Sequence, residues 1–459
     1  MARIRLDIAG LTLGDPAKAE TQAWHPVLDT YARGVALMRD LDDDDPRSWV
    51  WAANTHGIPP GTPTRPTWAQ CAHGSVFFLP WHRAYLAWFE QTIRDLTGDD
   101  DWALPYWDYS VPGDVADRSL PVEFGVETRV VGEKVVDNPL FADGRNDGAI
   151  PGQDVDIVGA LSERRFVRSF PRGFGGRDPD TTNGLVEMEP HNFVHGDIGG
   201  LMGFTTTAGR DPIFWLHHAN IDRLWEVWRG LPRSIAVTDP GGASTLLATT
   251  WRSAVFVFGD PGSPSTYTMD DIEDPDMLGY SYESTELPDD LITEIEQNRG
   301  VTALARGAGA VDETEPDWEP VAAAFDVSSG EDRDIPIAGG ADAFAASRLD
   351  DSPSGLLIEL GGVRATDPHA VYVVEVRSGP DAEAHRAGRF SSFGLAGTPE
   401  TEERNYLVDA SSVLPDLLDE GWSGDQLSIT VVPESGRPDS GDAAKGIRIR
   451  QVTIYVPTA

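Results

Sequence analysis

The sequence predicts a mainly α-helical first part and a second part folded as an antiparallel β-sandwich, and three observations carry that reading. Twelve of the fourteen tryptophans and eight of the ten histidines lie before residue 260, whereas the last third is rich in short Val, Ile and Ser alternations. Helix boundary residues recur through the first part: proline at or near the start, glycine just past the end. Beyond residue 320 the apolar runs shorten to strand length and are separated by Gly, Pro and Asp turns.

The helices follow from apolar spacing between these boundary residues. They are expected over Pro26–Asp40, Pro46–Thr55 after Asp45, Pro80–Leu96 ending at Gly98, and Pro212–Arg229 between Asp211 and Gly230. A shorter helix is expected to start at Pro190. Residues 287–320 (including ARGAGAVDETEPDWEP) turn acidic and aperiodic and read as a linker. Strands are expected near Val321–Val327, Leu356–Leu360, Ala370–Val376, Phe390–Phe393, Leu427–Val432 and Ile447–Val456. The domain plan is therefore 1–286, a linker over 287–320, and 321–459. His369 and His385 of the second part sit in turn-like contexts and read as solvated surface residues.

Composition excludes several classes of function. At 459 residues the chain is long enough for two or three domains and a core that needs no disulfide. The 75 acidic against 36 basic residues give a formal charge of −39, a field that repels nucleic-acid phosphates and anionic lipid headgroups. Neither nucleic acid nor a membrane is expected as a partner. The one cysteine, Cys71, excludes an intrachain disulfide. With no apolar run of signal-peptide or membrane-span length, a cytoplasmic protein is expected unless a partner exports it.

The chemistry concentrates in two groups of histidines: His56, His73 and His82, then His191, His195, His217 and His218. His191 and His195 are i and i+4, so one helix face carries both imidazoles toward one metal. A third ligand is expected from His217 or His218, and only one of the two, because neighbours on a helix point about 100° apart. His82 in the first turn of its helix, His73 just before it and His56 ahead of Gly57 repeat the pattern. Imidazoles without carboxylate or Cys-x-x-Cys partners favour zinc or copper over magnesium or calcium.

CAHGSVFFLPWHRAYLAWFE (Cys71–Glu90) and PHNFVH with DPIFWLHHANIDRLWEVW (within Pro190–Trp228) resemble the two copper-binding motifs of the tyrosinase family, which includes catechol oxidases, plant polyphenol oxidases and molluscan haemocyanins. DPDMLGYSYE (Asp274–Glu283) is similar to a segment after the catalytic core of plant polyphenol oxidases, and the Val-rich end resembles their C-terminal domain. The resemblance implies a four-helix bundle holding two copper ions, with a C-terminal sandwich over the active site. It assigns His56, His73 and His82 to one copper and His191, His195 and His218 to the other, with His217 a non-ligating neighbour. It further implies a thioether between Cys71 and His73.

For the chemistry, the resemblance implies oxidation of phenols and o-diphenols to o-quinones with dioxygen, by a latent proenzyme. Related alternatives are an o-aminophenol oxidase and an oxygen carrier. Glu187 and Asn192, in the pattern E-x-x-P-H-N, match residues that hold a water for deprotonating monophenols. His195 matches the ring on which substrate stacks, Gly196 the space beside it, and Met202 and Thr205 the mouth, with Thr205 at the gate. Phe214 and Asp222, at i−4 and i+4 of His218, are candidates to support its ring. The natural phenol and any copper-delivery partner are not named by these residues.

Overall fold

The computed structural model describes residues 2–457 apart from 111–114, 179–181, 305–317, 338–354, 368–369, 380–381, 396–403 and 435–445. It divides into two compact units, Met1–Ile292 and Thr293–Ala459. The first is built on the helices Pro26–Asp40, Trp49–His56, Phe78–Thr97, Asn192–Ile198 and Ile213–Gly230. Among its described residues, strand pairing is confined to two-stranded pieces. No helix among the described residues is long and apolar enough to cross a membrane.

These helices form where their sequence signals stand. Ser48 accepts a hydrogen bond from the Trp51 N–H and caps Trp49–His56, so that helix begins three residues later than Pro46 suggests. Phe78–Thr97 begins two residues before Pro80, because a proline near the first turn forfeits no intrahelical hydrogen bond. It ends at Gly98 in the left-handed conformation, φ 68°. Ahead of Asn192–Ile198, Glu189 is extended (φ −147°, ψ 125°) and interrupts the winding, while His191 already has helical dihedrals. Phe78–Thr97 packs against both Pro26–Asp40 and Ile213–Gly230. Phe89 stacks on Trp215 with centroids 3.5 Å apart, and the Tyr31 hydroxyl donates to the Pro212 carbonyl at 2.7 Å.

A buried ionic network closes this unit. The strand Arg3–Arg5 pairs in parallel with Tyr280–Tyr282, bringing the two ends of the unit together. Arg5 donates to Glu90 at 2.9 Å and to Asp222 at 3.1 Å, and its guanidinium lies 3.7 Å from the Tyr280 ring centroid. Asp222 also accepts from Arg83, Tyr280 and Tyr282, each at 2.5 Å. Burial alone would raise the Asp222 carboxyl; Arg83 and Arg5 outweigh it and hold the group below the usual carboxylate range. Asp222 is thus a clamp between helices and the two ends of the unit, and its hydrogen-bond partners are Arg5, Arg83, Tyr280 and Tyr282 where support of the His218 ring was expected. Its i+4 spacing shares a helix face with His218, but two arginines claim the carboxylate.

The second unit holds two four-stranded antiparallel sheets. One runs in the order Arg333–Pro336, Gln426–Pro433, Val371–Arg377, His385–Ser391; the other Arg404–Asp409, Leu357–Ala365, Ile447–Pro457, Trp318–Ser328. Arg333–Pro336 and Arg404–Asp409 had no apolar alternation strong enough to read from sequence. His385 opens a strand and its Nε2 lies 2.8 Å from a Glu420 carboxylate oxygen, so it is not simply solvated. His369 lies outside the described residues. Part of the stretch read as an aperiodic linker is a helix, Asp289–Leu304. Its signal was the i, i+4 pair Leu291 and Ile295, both buried, with buried Leu287 just ahead of the helix.

Removing one partner from a buried ion pair leaves uncompensated charge and costs about 3–5 kcal/mol. Asp222→Ala, which takes from Arg5 and Arg83 the carboxylate they share and leaves them Glu90 and Glu226, is expected to lose about 3 kcal/mol, the lower end of that range, in urea unfolding. A loss below about 1 kcal/mol would mean the network is not what closes the unit.

Candidate metal centre

Two groups of ligand-type side chains converge in the first unit, and in each the candidate ligand atoms lie within 4.8 Å of one another: His56, Cys71, His73 and His82; then His191, His195, His217 and His218. Four elements supply them. Trp49–His56 presents His56 at its last residue, Phe78–Thr97 presents His82 one turn in, and the loop between them carries Cys71 and His73. Asn192–Ile198 and Ile213–Gly230 carry the second group, with His191 at the entry of the former. The groups abut: His82 and His218 stack with centroids 4.1 Å apart and planes at 9°.

Hydrogen bonds decide which ring nitrogen each imidazole offers. A carbonyl oxygen can only accept, so a ring nitrogen facing one must carry the hydrogen. His56 Nδ1 faces the Thr205 carbonyl at 2.9 Å, His82 Nδ1 the Phe78 carbonyl at 2.8 Å, and His195 Nδ1 the Met202 carbonyl at 2.9 Å. His191 Nδ1 lies 2.8 Å from Asn192 Oδ1. Each of the three carbonyl-bound rings is left with Nε2 as a bare lone pair, the form a metal ligand requires.

Whether these residues fit copper is tested by the nitrogens turned inward. His56 Nε2 is buried with no protein hydrogen-bond partner. His195 Nε2, already committed as a lone pair, sits 3.3 Å from His218 Nε2. Imidazole nitrogens turned toward one another in a buried space suit a cation. Burial drives the His56 imidazole down to about 4. Burial, joined by neighbouring imidazoles, drives His82, His195, His217 and His218 well below the ordinary histidine value. They are therefore neutral near pH 7, as ligands must be. A set of imidazoles with one thiol and no carboxylate suits copper or zinc and gives magnesium or calcium nothing to bind.

The remaining predicted residues fall as follows. His217, expected to turn away, belongs to the second group as well, and its Nδ1 lies 2.7 Å from the Tyr109 hydroxyl. Tyr109 was not singled out in the sequence, because nothing local marks a tyrosine 108 residues away as its partner. The Cys71 sulfur is 3.2 and 3.6 Å from the two nitrogens of His73, which flank ring carbon Cε1, and 3.4 Å from His82 Nε2. Phe214 packs between the groups, 4.2 Å from the His218 ring and 4.8 Å from that of His56. Glu187, 1% exposed, accepts from the Gly74 N–H at 2.7 Å, tying the second group's segment to the loop after His73. Gly196 is buried beside His195. Met202 is fully buried and its carbonyl meets His195, whereas Thr205 is part-exposed.

Comparisons agree with this centre. The family model described as the common central domain of tyrosinase matches residues 46–166 and 152–231, spanning all seven of these histidines. A tyrosinase of Hahella sp. is 30% identical over 491 aligned positions, covering 95% of this chain and 97% of that protein. Aureusidin synthase of Antirrhinum majus is 31% identical, the alignment spanning 58% of this chain and about half (52%) of that longer protein. Among solved structures, latent aurone synthase matches with TM-score 0.57 at 22% identity, covering 100% of this chain and 90% of that one. Latent apple tyrosinase matches with TM-score 0.56 at 21% identity, covering 100% and 97%. These two likenesses establish the shared architecture of helical core and C-terminal β domain. With a near full-length relative at this identity and a di-histidine-group centre of matching chemistry, the chain belongs to the tyrosinase family of type 3 copper oxidoreductases.

Proposed function

We propose that this protein oxidises phenols and o-diphenols to o-quinones with dioxygen. The observation that carries the reading is the pair of abutting imidazole groups, in which His56, His82 and His195 are held by carbonyls with Nε2 as the lone-pair nitrogen. His56, His73 and His82 would hold one copper, and His191, His195 and His218 the other. When bound, the copper pair supplies reversible one-electron chemistry and a place for dioxygen to be reduced. The chain's own residues do the rest. The carbonyl-bound Nδ1–H groups keep His56, His82 and His195 in one tautomer and one orientation. Phe214 and the aromatic floor exclude water from between the groups.

For monophenols a proton must leave the ring hydroxyl before oxygen is inserted, and we assign the positioning of that base to Glu187 and Asn192. Both are buried beside His191. Substrate would stack against the ring of His195, with Gly196 leaving room and Thr205 at the part-exposed entrance. Oxygen uptake with a monophenol, an o-diphenol and an o-aminophenol tests the reading. The copper-loaded chain is expected to turn over the first two; bound oxygen without turnover would make it a carrier, and preference for the third an aminophenol oxidase. His218→Ala should lose one copper and more than about 100-fold in rate. His217→Ala should keep two coppers, and Asn192→Gly should weaken monophenol turnover more than diphenol turnover. Full copper in His218→Ala with loss in His217→Ala would exchange their roles.

Cys71 is proposed to form a thioether with His73, since its sulfur lies against the nitrogens flanking Cε1. The bond would replace one S–H and one C–H, with dioxygen as the acceptor of the two electrons and two protons, and the copper that His56, His73 and His82 would hold would supply the one-electron chemistry. Intact mass should fall by two hydrogens and Cys71 should resist alkylation after denaturation. A fully alkylated Cys71 in copper-loaded protein overturns the crosslink.

Latency is proposed from the family's C-terminal domain. In this plan residues 1–286 are catalytic, 287–320 connect, and 321–459 form a sandwich that covers the active site. A tethered domain has a high effective concentration at its docking face, so a modest interface suffices to keep a site closed. The support is the likeness to enzymes solved in latent form and covering nearly the whole chain. Limited proteolysis within 287–320 should raise catechol turnover at least several-fold with both coppers retained. Clipped protein no more active than intact chain rejects the lid.

A further inference from the structure

Of the three carbonyls that hold an imidazole, two lie in one short segment. Met202 holds His195 of the second group and Thr205 holds His56 of the first, each at 2.9 Å. Three residues of backbone thus connect a ring of one group to a ring of the other. The segment is itself braced. Thr207 Oγ1 donates to the Leu201 carbonyl at 2.8 Å and the Ala208 N–H to the Phe204 carbonyl at 2.8 Å, closing it as a tight loop. Arg210 then ties it to the Trp49–His56 helix, donating to Asn54 Oδ1 at 2.8 Å and accepting from Trp49 Nε1 at 3.3 Å.

Two glycines permit this approach. Gly57, directly after His56, has φ −156° and ψ 152°, extended backbone that any residue adopts, so torsion gives no reason for glycine there. Space does. A Cβ on Gly57 would overlap the Thr205 carbonyl oxygen and come within 3.0 Å of Thr206 Cα. A Cβ on Gly209 would come within 3.2 Å of the Ala53 Cα and carbonyl oxygen, a milder encroachment at the other end of the same loop.

We propose that Met202–Thr205 is a shared strap that sets one imidazole in each histidine group, and that Gly57 is the positioning residue that lets the strap seat. The inference rests on the copper-ligand reading above. Its consequence is specific: a methyl group beside the first group's His56 loosens metal in the second group, whose residues Gly57 does not touch. Displacing Thr205 shifts the Met202 carbonyl three residues away, and His195 loses the acceptor that keeps its Nε2 inward.

The test uses the full-length copper-loaded chain, with excess EDTA as the challenge and metal analysis of copper per chain over time. Gly57→Ala is expected to release both coppers at least tenfold faster than the unsubstituted chain. Gly209→Ala should shift both in the same direction by less, and decides the matter if Gly57→Ala does not fold. Gly159→Ala, whose Cβ meets nothing within 4 Å, should match the unsubstituted chain. The d–d absorption of the Co(II)-substituted Gly57→Ala chain should show two altered sites. A single fast copper with the other leaving at the unsubstituted rate overturns the strap, as does release unchanged in both glycine variants. An unsubstituted chain that holds fewer than two coppers fails the di-copper reading itself, an outcome distinct from both.

Discussion

Seven imidazoles converge in one unit, six of them buried and His73 half-buried, and the constraint that governs the structure is that a ligand must be kept neutral and told which nitrogen to turn inward. Burial, joined by repulsion between neighbouring imidazoles, achieves the first for His82 and His195, since a charged imidazolium without solvent is strongly disfavoured. The second requires an acceptor for the outward nitrogen. Main-chain carbonyls at Phe78, Met202 and Thr205 provide it for His82, His195 and His56, the Asn192 side-chain oxygen faces His191 Nδ1, and the Tyr109 hydroxyl, which can donate or accept, meets His217 Nδ1. A carbonyl is a fixed acceptor that cannot change its protonation, so the tautomer is set by backbone conformation and does not drift with pH. The loops between the helices therefore matter as much as the helices that carry the histidines.

Holding those carbonyls in place demands a rigid frame, which the buried ionic network and aromatic packing supply. Asp222 lies one turn beyond His218 on the same helix and is gripped by Arg5, Arg83, Tyr280 and Tyr282. The helix that presents His217 and His218 is thus anchored to the Phe78–Thr97 helix, which presents His82, and to both ends of the unit. Chemistry and stability are in series along one helix face. The two roles are kept apart because the carboxylate is saturated by arginines and never competes for the metal.

The two histidine groups are also tied to each other outside any shared metal. Thr205, in a segment belonging to the second group, holds His56 of the first; Glu187, from the second group's segment, holds Gly74 beside His73 of the first. Both ties run from the second group's segment to the first group, and together with helix packing they fix the separation of the two sites. A carboxylate accepting a main-chain N–H is also oriented, so Glu187 has a defined direction before any substrate arrives.

From the sequence alone, the helical first part and the β second part were legible, because apolar periodicity and Pro/Gly boundaries are local signals. So were the two histidine groups, since i, i+4 spacing and a helix entry place side chains without knowledge of the rest of the fold. The Asp289–Leu304 helix was missed where acidic residues masked the i, i+4 pair Leu291 and Ile295, and the strands Arg333–Pro336 and Arg404–Asp409 where charges interrupt the alternation. What only the tertiary structure decided is who partners whom at long range. Asp222 shares a face with His218 yet serves Arg5, 217 residues away, and the carbonyl that orients His56 comes from residue 205. Main-chain acceptors carry no residue signature, and ion pairs between distant segments leave no period in the sequence. Such contacts exist only once hydrophobic burial has brought the segments together.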